Sequence, residues 1–142
     1  MRILIYSIIA LLLVCGCASQ NSKKLEGGDD IDATSDTVRI ANDSLEYEII
    51  IIEPGYNAFL LGTARPEGYY SQSYLENKNS FLVTEYNQRV MQPSLYNSNL
   101  YPLQIDYERN VDYGYEVNYK LYYYFVYFAR KYNQRFSVPT RI

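Results

Sequence analysis

Histidine and tryptophan are missing from this chain of 142 residues, and its two cysteines stand at positions 15 and 17. Without histidine there is no Ser-His-Asp or Cys-His mechanism and no imidazole ligand for a metal. Beyond Cys17 no thiolate ligand remains, so the usual zinc-type sites are excluded as well. The seven glycines are scattered, and Gly55, Gly62 and Gly68 form no phosphate-cradling loop. Cations are outnumbered, 13 Lys and Arg against 16 Asp and Glu, for a formal net charge of -3. Such a chain has no global basic field, and no nucleic-acid partner is expected.

Long apolar runs are scarce too, with one exception at the start. Met1 and Arg2 precede an apolar stretch from Ile3 to Val14 that only Ser7 interrupts. A charged start, a short apolar core and a small residue before the cut form the secretory pattern. The run is shorter than the roughly 20 residues of a membrane span. Its end, Val14-Cys15-Gly16-Cys17, resembles a bacterial lipobox, with an aliphatic residue three before the cysteine and a small one just before it. Cys15 does not fit, because Val14 would occupy the small site. The resemblance implies a leader over residues 1–16, cleavage before Cys17, and lipid on Cys17. Two or more acyl chains would anchor the protein stably to a membrane. The chain beyond Cys17 then has no cysteine in a disulfide-permissive compartment, so packing must supply its stability.

Residues 17–36 read as a flexible acidic tether. They hold Gly27-Gly28, Glu26, Asp29, Asp30, Asp32 and Asp36, with few large apolar residues. Such a segment buries too little surface to offset its ordering entropy. Its expected reach is about 25 Å. Asp29, Asp30 and Asp32 echo part of a calcium loop, but the required glycine and distal glutamate are not at the right spacing. A solvated acidic stretch explains them better.

A tyrosine-rich globular domain is expected over residues 37–142. Tyrosine is the anomaly of composition, 18 in all. Each ring can be buried while its hydroxyl seeks a partner. Thr37–Ala41 looks extended, Asn42-Asp43-Ser44 is turn chemistry, and Leu45–Ile52 reads as a strand. There Ile50 and Ile52 join Ile49 and Ile51, so its far half should be buried on both faces. Glu53-Pro54-Gly55 ends it, and Asn57–Leu61 suits a helical turn. Ser73-Tyr74-Leu75-Glu76 fits a capping box. Leu75, Leu82, Val83, Tyr86 and Val90 come next at helical spacing and Pro93 gives a stop, so a helix is expected over Ser73–Met91. Ser94–Asn110 is loop-like, with Leu103–Tyr107 a short strand or an extended packing segment. Val111–Tyr132 alternates like a strand and also repeats like a helix. Its length decides for a helix from about Asp112, with Lys120 on an exposed face and Tyr122–Ala129 buried nearly all round. The expected fold is a small α+β domain: an N-terminal strand pair packed on two or three helices. Its expected core holds Ile49, Ile51, Leu75, Leu82, Tyr86, Leu121, Phe125 and Phe128.

Several strings are distinctive: Leu45-Glu46-Tyr47-Glu48-Ile49-Ile50 running into Glu53-Pro54-Gly55-Tyr56; Ser71-Gln72-Ser73-Tyr74-Leu75-Glu76; Glu85-Tyr86-Asn87-Gln88-Arg89-Val90; Asp112-Tyr113-Gly114-Tyr115-Glu116-Val117-Asn118-Tyr119; and Tyr132-Asn133-Gln134-Arg135. With them the domain resembles an uncharacterised Bacteroidota lipoprotein family, a group of unknown function. That pattern tends to have Trp where this chain has Phe59 and Tyr86. The resemblance implies a lipoprotein of a Gram-negative envelope and supplies no catalytic residues.

Two constellations remain for chemistry. Glu53, Glu76, Glu85, Asp112 and Glu116 could supply an acid and a base for glycoside cleavage, yet each has an ordinary task at a turn, cap or helix pair. Arg65, Tyr69, Tyr70 and Tyr74 form a candidate surface patch able to stack on sugars or peptides, unless the loop packs back on a helix. The leading expectation is a non-enzymatic envelope lipoprotein that binds a protein partner or supports an outer-membrane assembly, with no catalytic, metal or cofactor site. Its expected place is the periplasmic face of the outer membrane, or else the cell surface. The alternative is a small glycan-binding module or carboxylate-dependent hydrolase.

Overall fold

The strand pair forms first along the chain. In the computed structural model, which describes Thr34, residues 37–42 and residues 45–140, β1 (Thr37–Asn42) runs antiparallel to β2 (Tyr47–Ile52), with Thr37 opposite Ile52 and Asn42 opposite Tyr47. The leader, Cys17, the acidic tether with its aspartates, Asp43-Ser44 of the expected turn, and Arg141 all lie outside the described residues. Three helices come after the sheet: α1 (Tyr56–Gly62), α2 (Gln72–Val90) and α3 (Gly114–Lys131). Among the described residues, a two-stranded sheet and three helices thus make a small α+β domain.

Helix α3 is the axis of this domain. It touches α1, α2 and β1. Leu121, Tyr122, Tyr123, Phe125 and Val126 have no exposed surface, and Val117 and Phe128 have almost none. Removing each such side chain from water contributes on the order of 1.5–3 kcal/mol. Local signals fix both ends of the helix. Asp112 Oδ1 accepts from the Gly114 N–H at 3.0 Å. At the other end Asn133 takes a left-handed φ of 50°. The Gln134 N–H donates to the Ala129 carbonyl at 2.8 Å and the Asn133 N–H to that of Arg130 at 3.4 Å, a Schellman closure. No helix of the described residues is long and apolar enough to cross a membrane.

Four expectations need correction. Helix α2 begins at Gln72, one residue early, because Ser71 rather than Ser73 caps it: the Tyr74 N–H donates to Ser71 Oγ at 3.3 Å. Glu76 accepts instead from the Gln72 side chain at 2.8 Å. Strand β2 starts at Tyr47, not Leu45, since Glu46 is in the left-handed region at φ 51°. Its far half is not buried on both faces. Ile49 and Ile51 are partly buried against the core, whereas Ile50 and Ile52 are 62% and 75% exposed. Among the described residues, this two-stranded sheet with one helical layer beneath it has nothing on its second face. Finally, Lys120 is not on an exposed face. Its side chain is buried, and its ammonium meets Glu116 at 2.7 Å, because α3 is enclosed all round here. The other expected core residues of the helices are buried as read.

The tyrosine excess has a structural use. Hydroxyls from the helices and from β2 reach the backbone of connecting segments. Tyr56 donates to the Lys120 carbonyl at 2.6 Å, Tyr119 to that of Arg65 at 2.7 Å, and Tyr127 to that of Pro54 at 2.5 Å. Tyr123 and Tyr115 accept from the N–H groups of Arg65 and Gly68 at 3.1 and 2.6 Å. Tyr113 accepts from Glu108 N–H at 2.8 Å. Apart from the Tyr56 bond, whose acceptor lies within α3, each satisfies a peptide group of a connecting segment that sheet or helix would otherwise satisfy. Gly55 is fixed by one of them: at φ +85° its added Cβ would lie 2.8 Å from the Tyr127 hydroxyl.

Candidate functional site

Two surface regions stand out among the described residues. The first is the expected corner between α1 and α2, and the structure brings its four residues together. The Arg65 guanidinium lies 5.2 Å from the Tyr69 ring centre. Tyr69 meets Tyr70 edge-on at 4.8 Å, and Tyr70 stacks on Tyr74 at 4.6 Å and 13°. Lys78, absent from the sequence reading, caps Tyr74 at 5.4 Å. Both Tyr70 and Tyr74 also meet buried Tyr122 edge-on. Burial first, then the neighbouring phenols of Tyr74 and Tyr69, push the Tyr70 hydroxyl above its ordinary pKa. The loop backbone packs back on α3 through Tyr119 and Tyr123, while the Tyr69 side chain stays 58% exposed. Tyr70 and Tyr74 turn one ring face on each other, and the corner offers Tyr69, Arg65 and part of Tyr74, 38% exposed, to solvent.

The second region was not singled out from the sequence. A groove of about 450 Å³ runs beside β2, within the size range of ligand clefts. One wall is β2 itself, from Glu48 to Ile52. The other is the stretch from Asn99 to Asp106, and the floor is Tyr86, Tyr124, Phe128 and Tyr132. The second wall is held in place by side chains. Asn87 of α2 grips Ile105 with both ends of its amide, donating to its carbonyl and accepting from its N–H, each at 2.8 Å. Tyr47 joins the walls by donating to the Asp106 carbonyl at 2.5 Å. Around the mouth stand Ile50, Ile52 and Leu103, and Leu103 is 76% exposed. Leu103–Tyr107 is therefore the extended packing segment, not a strand. The signal for the groove was present in Ile49–Ile52, but four isoleucines in a row read as burial.

At the inner end of the groove, Glu53 is nearly buried and accepts from Lys131 Nζ at 2.6 Å and the Tyr132 hydroxyl at 2.9 Å. Burial lowers the Lys131 ammonium's pKa, but the bond and charge of Glu53 outweigh it and hold that pKa above its usual range. Burial pushes the Tyr124 hydroxyl far up, and neighbouring Tyr86 and Glu53 add to this. These phenols remain neutral hydrogen-bonding groups throughout the physiological range.

The remaining carboxylates take structural positions. Glu76 and Asp112 meet at Gln72, whose Nε2 donates to both at 2.8 and 2.7 Å, and neither lines the groove. Glu116 pairs with Lys120. Glu85 accepts from Arg89 at 2.5 Å and from the Ser137 N–H and hydroxyl at 2.8 and 2.7 Å. Burial raises the Glu85 carboxyl's pKa, but the Ser137 and Arg89 contacts outweigh it and hold that pKa below its usual range. Arg89 in turn donates to Tyr101 at 2.7 Å and to the Arg135 carbonyl, and lies 4.6 Å from the Phe136 ring centre. That cluster clamps the C-terminal segment to α2. Among the described residues no group of three His, Cys, Asp or Glu could hold a metal ion.

Neither the curated proteins nor the solved structures contain a match to this chain. A family model does match it, over residues 3–139, and so spans nearly its whole length and both surface regions. The chain belongs to the family of unknown function DUF6146.

Proposed function

We propose that this protein is a lipid-anchored, non-enzymatic component of the bacterial cell envelope that holds a protein partner through the groove beside β2. One observation supports this above all: Ile50, Ile52 and Leu103 are 62%, 75% and 76% exposed around a groove with an aromatic floor. Apolar side chains gathered beside an open strand edge mark an interaction surface, because folding alone has no use for them there. The anchor in this reading is lipid on Cys17, from the lipobox resemblance. Residues 17–36 act as an acidic tether that lets the domain stand off by about 25 Å. The outer membrane, on its periplasmic face, is the proposed place. No cofactor and no nucleic acid enter this reading. The Arg65–Tyr69 corner keeps the glycan-binding alternative, with Tyr69 and part of Tyr74 exposed and one face of Tyr70 and of Tyr74 taken by their mutual stacking.

A photo-crosslinking residue placed at Ile50, Ile52 or Leu103 in living cells is expected to give one discrete protein adduct, and the same residue at Tyr69 is not. Cys17→Ser is expected to move the domain from the detergent phase to the aqueous phase and to diminish the adduct. Absence of adducts from all three groove positions would overturn the docking role, and unchanged phase partitioning would overturn the anchor.

A further inference from the structure

The groove beside β2 has a strand for one wall and, for the other, a segment that turns at Asn99 and Leu100 and bends at Tyr101 and Leu103 before running irregularly to Asp106. In an antiparallel pair, every second residue directs its N–H and C=O away from the partner strand. On β2 those groups have no backbone partner among the described residues, since the sheet has two strands there and no backbone hydrogen bond crosses from β2 to residues 99–106. The facing segment is instead held off by side chains, Asn87 on Ile105 and Tyr47 on Asp106. The space between the walls is about 450 Å³.

Charge is one-sided. The groove lining carries Glu48, Glu53 and Asp106 and no Lys or Arg. Glu48 is matched by Arg39 at 2.6 Å and Glu53 by Lys131. Asp106 is exposed and has no ion pair among the described residues.

We infer that the groove takes an extended segment of a partner protein as a third strand on the outer edge of β2, with apolar side chains inward on the aromatic floor and a lysine or arginine outward at Asp106. Strand addition supplies affinity through main-chain bonds, and alternate side chains supply selectivity. The floor of Tyr86, Tyr124 and Phe128 accepts every second side chain. Unmatched Asp106 selects the sign of the residues between them, since a cation there gains a partner and an anion meets repulsion. This rests on the docking role proposed above and names the chemistry of its occupant.

The test uses the full chain in detergent micelles and three synthetic heptapeptides. One alternates valine and lysine, one alternates valine and glutamate, and one has the first composition in two blocks. The alternating lysine peptide is expected to bind at least about tenfold more tightly than either control. Amide exchange at Ile49–Ile52 is expected to slow on binding. Asp106→Asn is expected to remove the preference for lysine over glutamate without changing the denaturation midpoint. Equal binding of the glutamate peptide, or binding without slower exchange in β2, would overturn the inference. So would a chain that dimerises through β2 in sedimentation and excludes all three peptides. Crosslinks from Ile50 in cells together with failed strand addition would point to a partner on the sheet face, sparing the docking role.

Discussion

On α3, Leu121, Tyr122, Tyr123, Phe125 and Val126 lose all contact with solvent; on β2, Ile50 and Ile52 keep most of theirs. Both segments are apolar on every side. The helix is enclosed because α1, α2 and β1 each cover part of its circumference and the adjoining turns close the rest. The sheet has the helix beneath and, among the described residues, nothing above. The lesson is one of layers: in a domain with a single helical layer, one face of its sheet is left without a partner. Apolar residues on that face gain little from burial among the described residues.

The sharpest way to break this contrast is to truncate one residue on each side. Phe125→Ala is expected to cost about 3–5 kcal/mol, from lost burial and a residual cavity. That is much of the roughly 5–15 kcal/mol available to a small domain. Chemical denaturation measures it, and a loss under about 1 kcal/mol would mean that α3 is not the centre of the core.

Next in size is Gly55→Ala, at the turn from β2 into α1. The left-handed backbone and the approach of the Tyr127 hydroxyl are expected to cost about 1–3 kcal/mol together. The same denaturation series reads this, and a neutral result would show that the turn relaxes freely. Lys120→Ala ranks third at about 1–2 kcal/mol, from lost packing of its stem and the pair with Glu116. That reverses the expectation from the sequence of a near-neutral change.

The pattern of success and failure has a physical cause. Helical spacing from Leu75 to Val90 and the length of the 111–132 segment located α2 and α3, because periodicity survives whatever surrounds the helix. Enclosure does not show in spacing. Lys120 looked like a solvated position because a helix normally has a wet side, and Ile50 and Ile52 looked buried because such a run normally lies between two layers. The aromatic corner was legible as a cluster, since Arg65, Tyr69, Tyr70 and Tyr74 are close in sequence. The groove was not: its walls come from residues 48–53 and 99–106, and Asn87, which shapes it, reads as an ordinary helix-surface residue.

Alkaline pH tests the helix side of the contrast without mutation. Burial first, then Glu67 and Tyr115, push the Tyr119 hydroxyl up to about 12. Burial likewise pushes Tyr123 up to about 12, against the opposing bond from Arg65. In the unfolded chain tyrosine loses its proton near pH ~10. The folded state therefore holds these protons more tightly, and their contribution is complete below pH ~10 and lost as pH rises through ~12. The denaturation midpoint should fall across that window while phenolate absorbance grows with unfolding. A fully developed phenolate band in a chain still folded at pH ~11 would contradict it.

The smallest effect is expected on the sheet. Ile50→Ser with Ile52→Ser should change stability by no more than about 0.5 kcal/mol while abolishing the crosslinks expected at Leu103. A large loss of stability would show that the outer face of the sheet is covered after all.

The hydroxyl bonds from tyrosine to loop backbone bear on how fast the native shape can be reached. A disulfide that fixed the Arg65–Gly68 or Pro54 turn would need an oxidant and seconds to hours to form and sort its partners. Tyr119, Tyr123 and Tyr127 do the fixing with bonds that form when α3 docks beside these turns and need no oxidant. A domain assembled this way has no covalent pairing to get wrong and no dependence on the redox state of its surroundings.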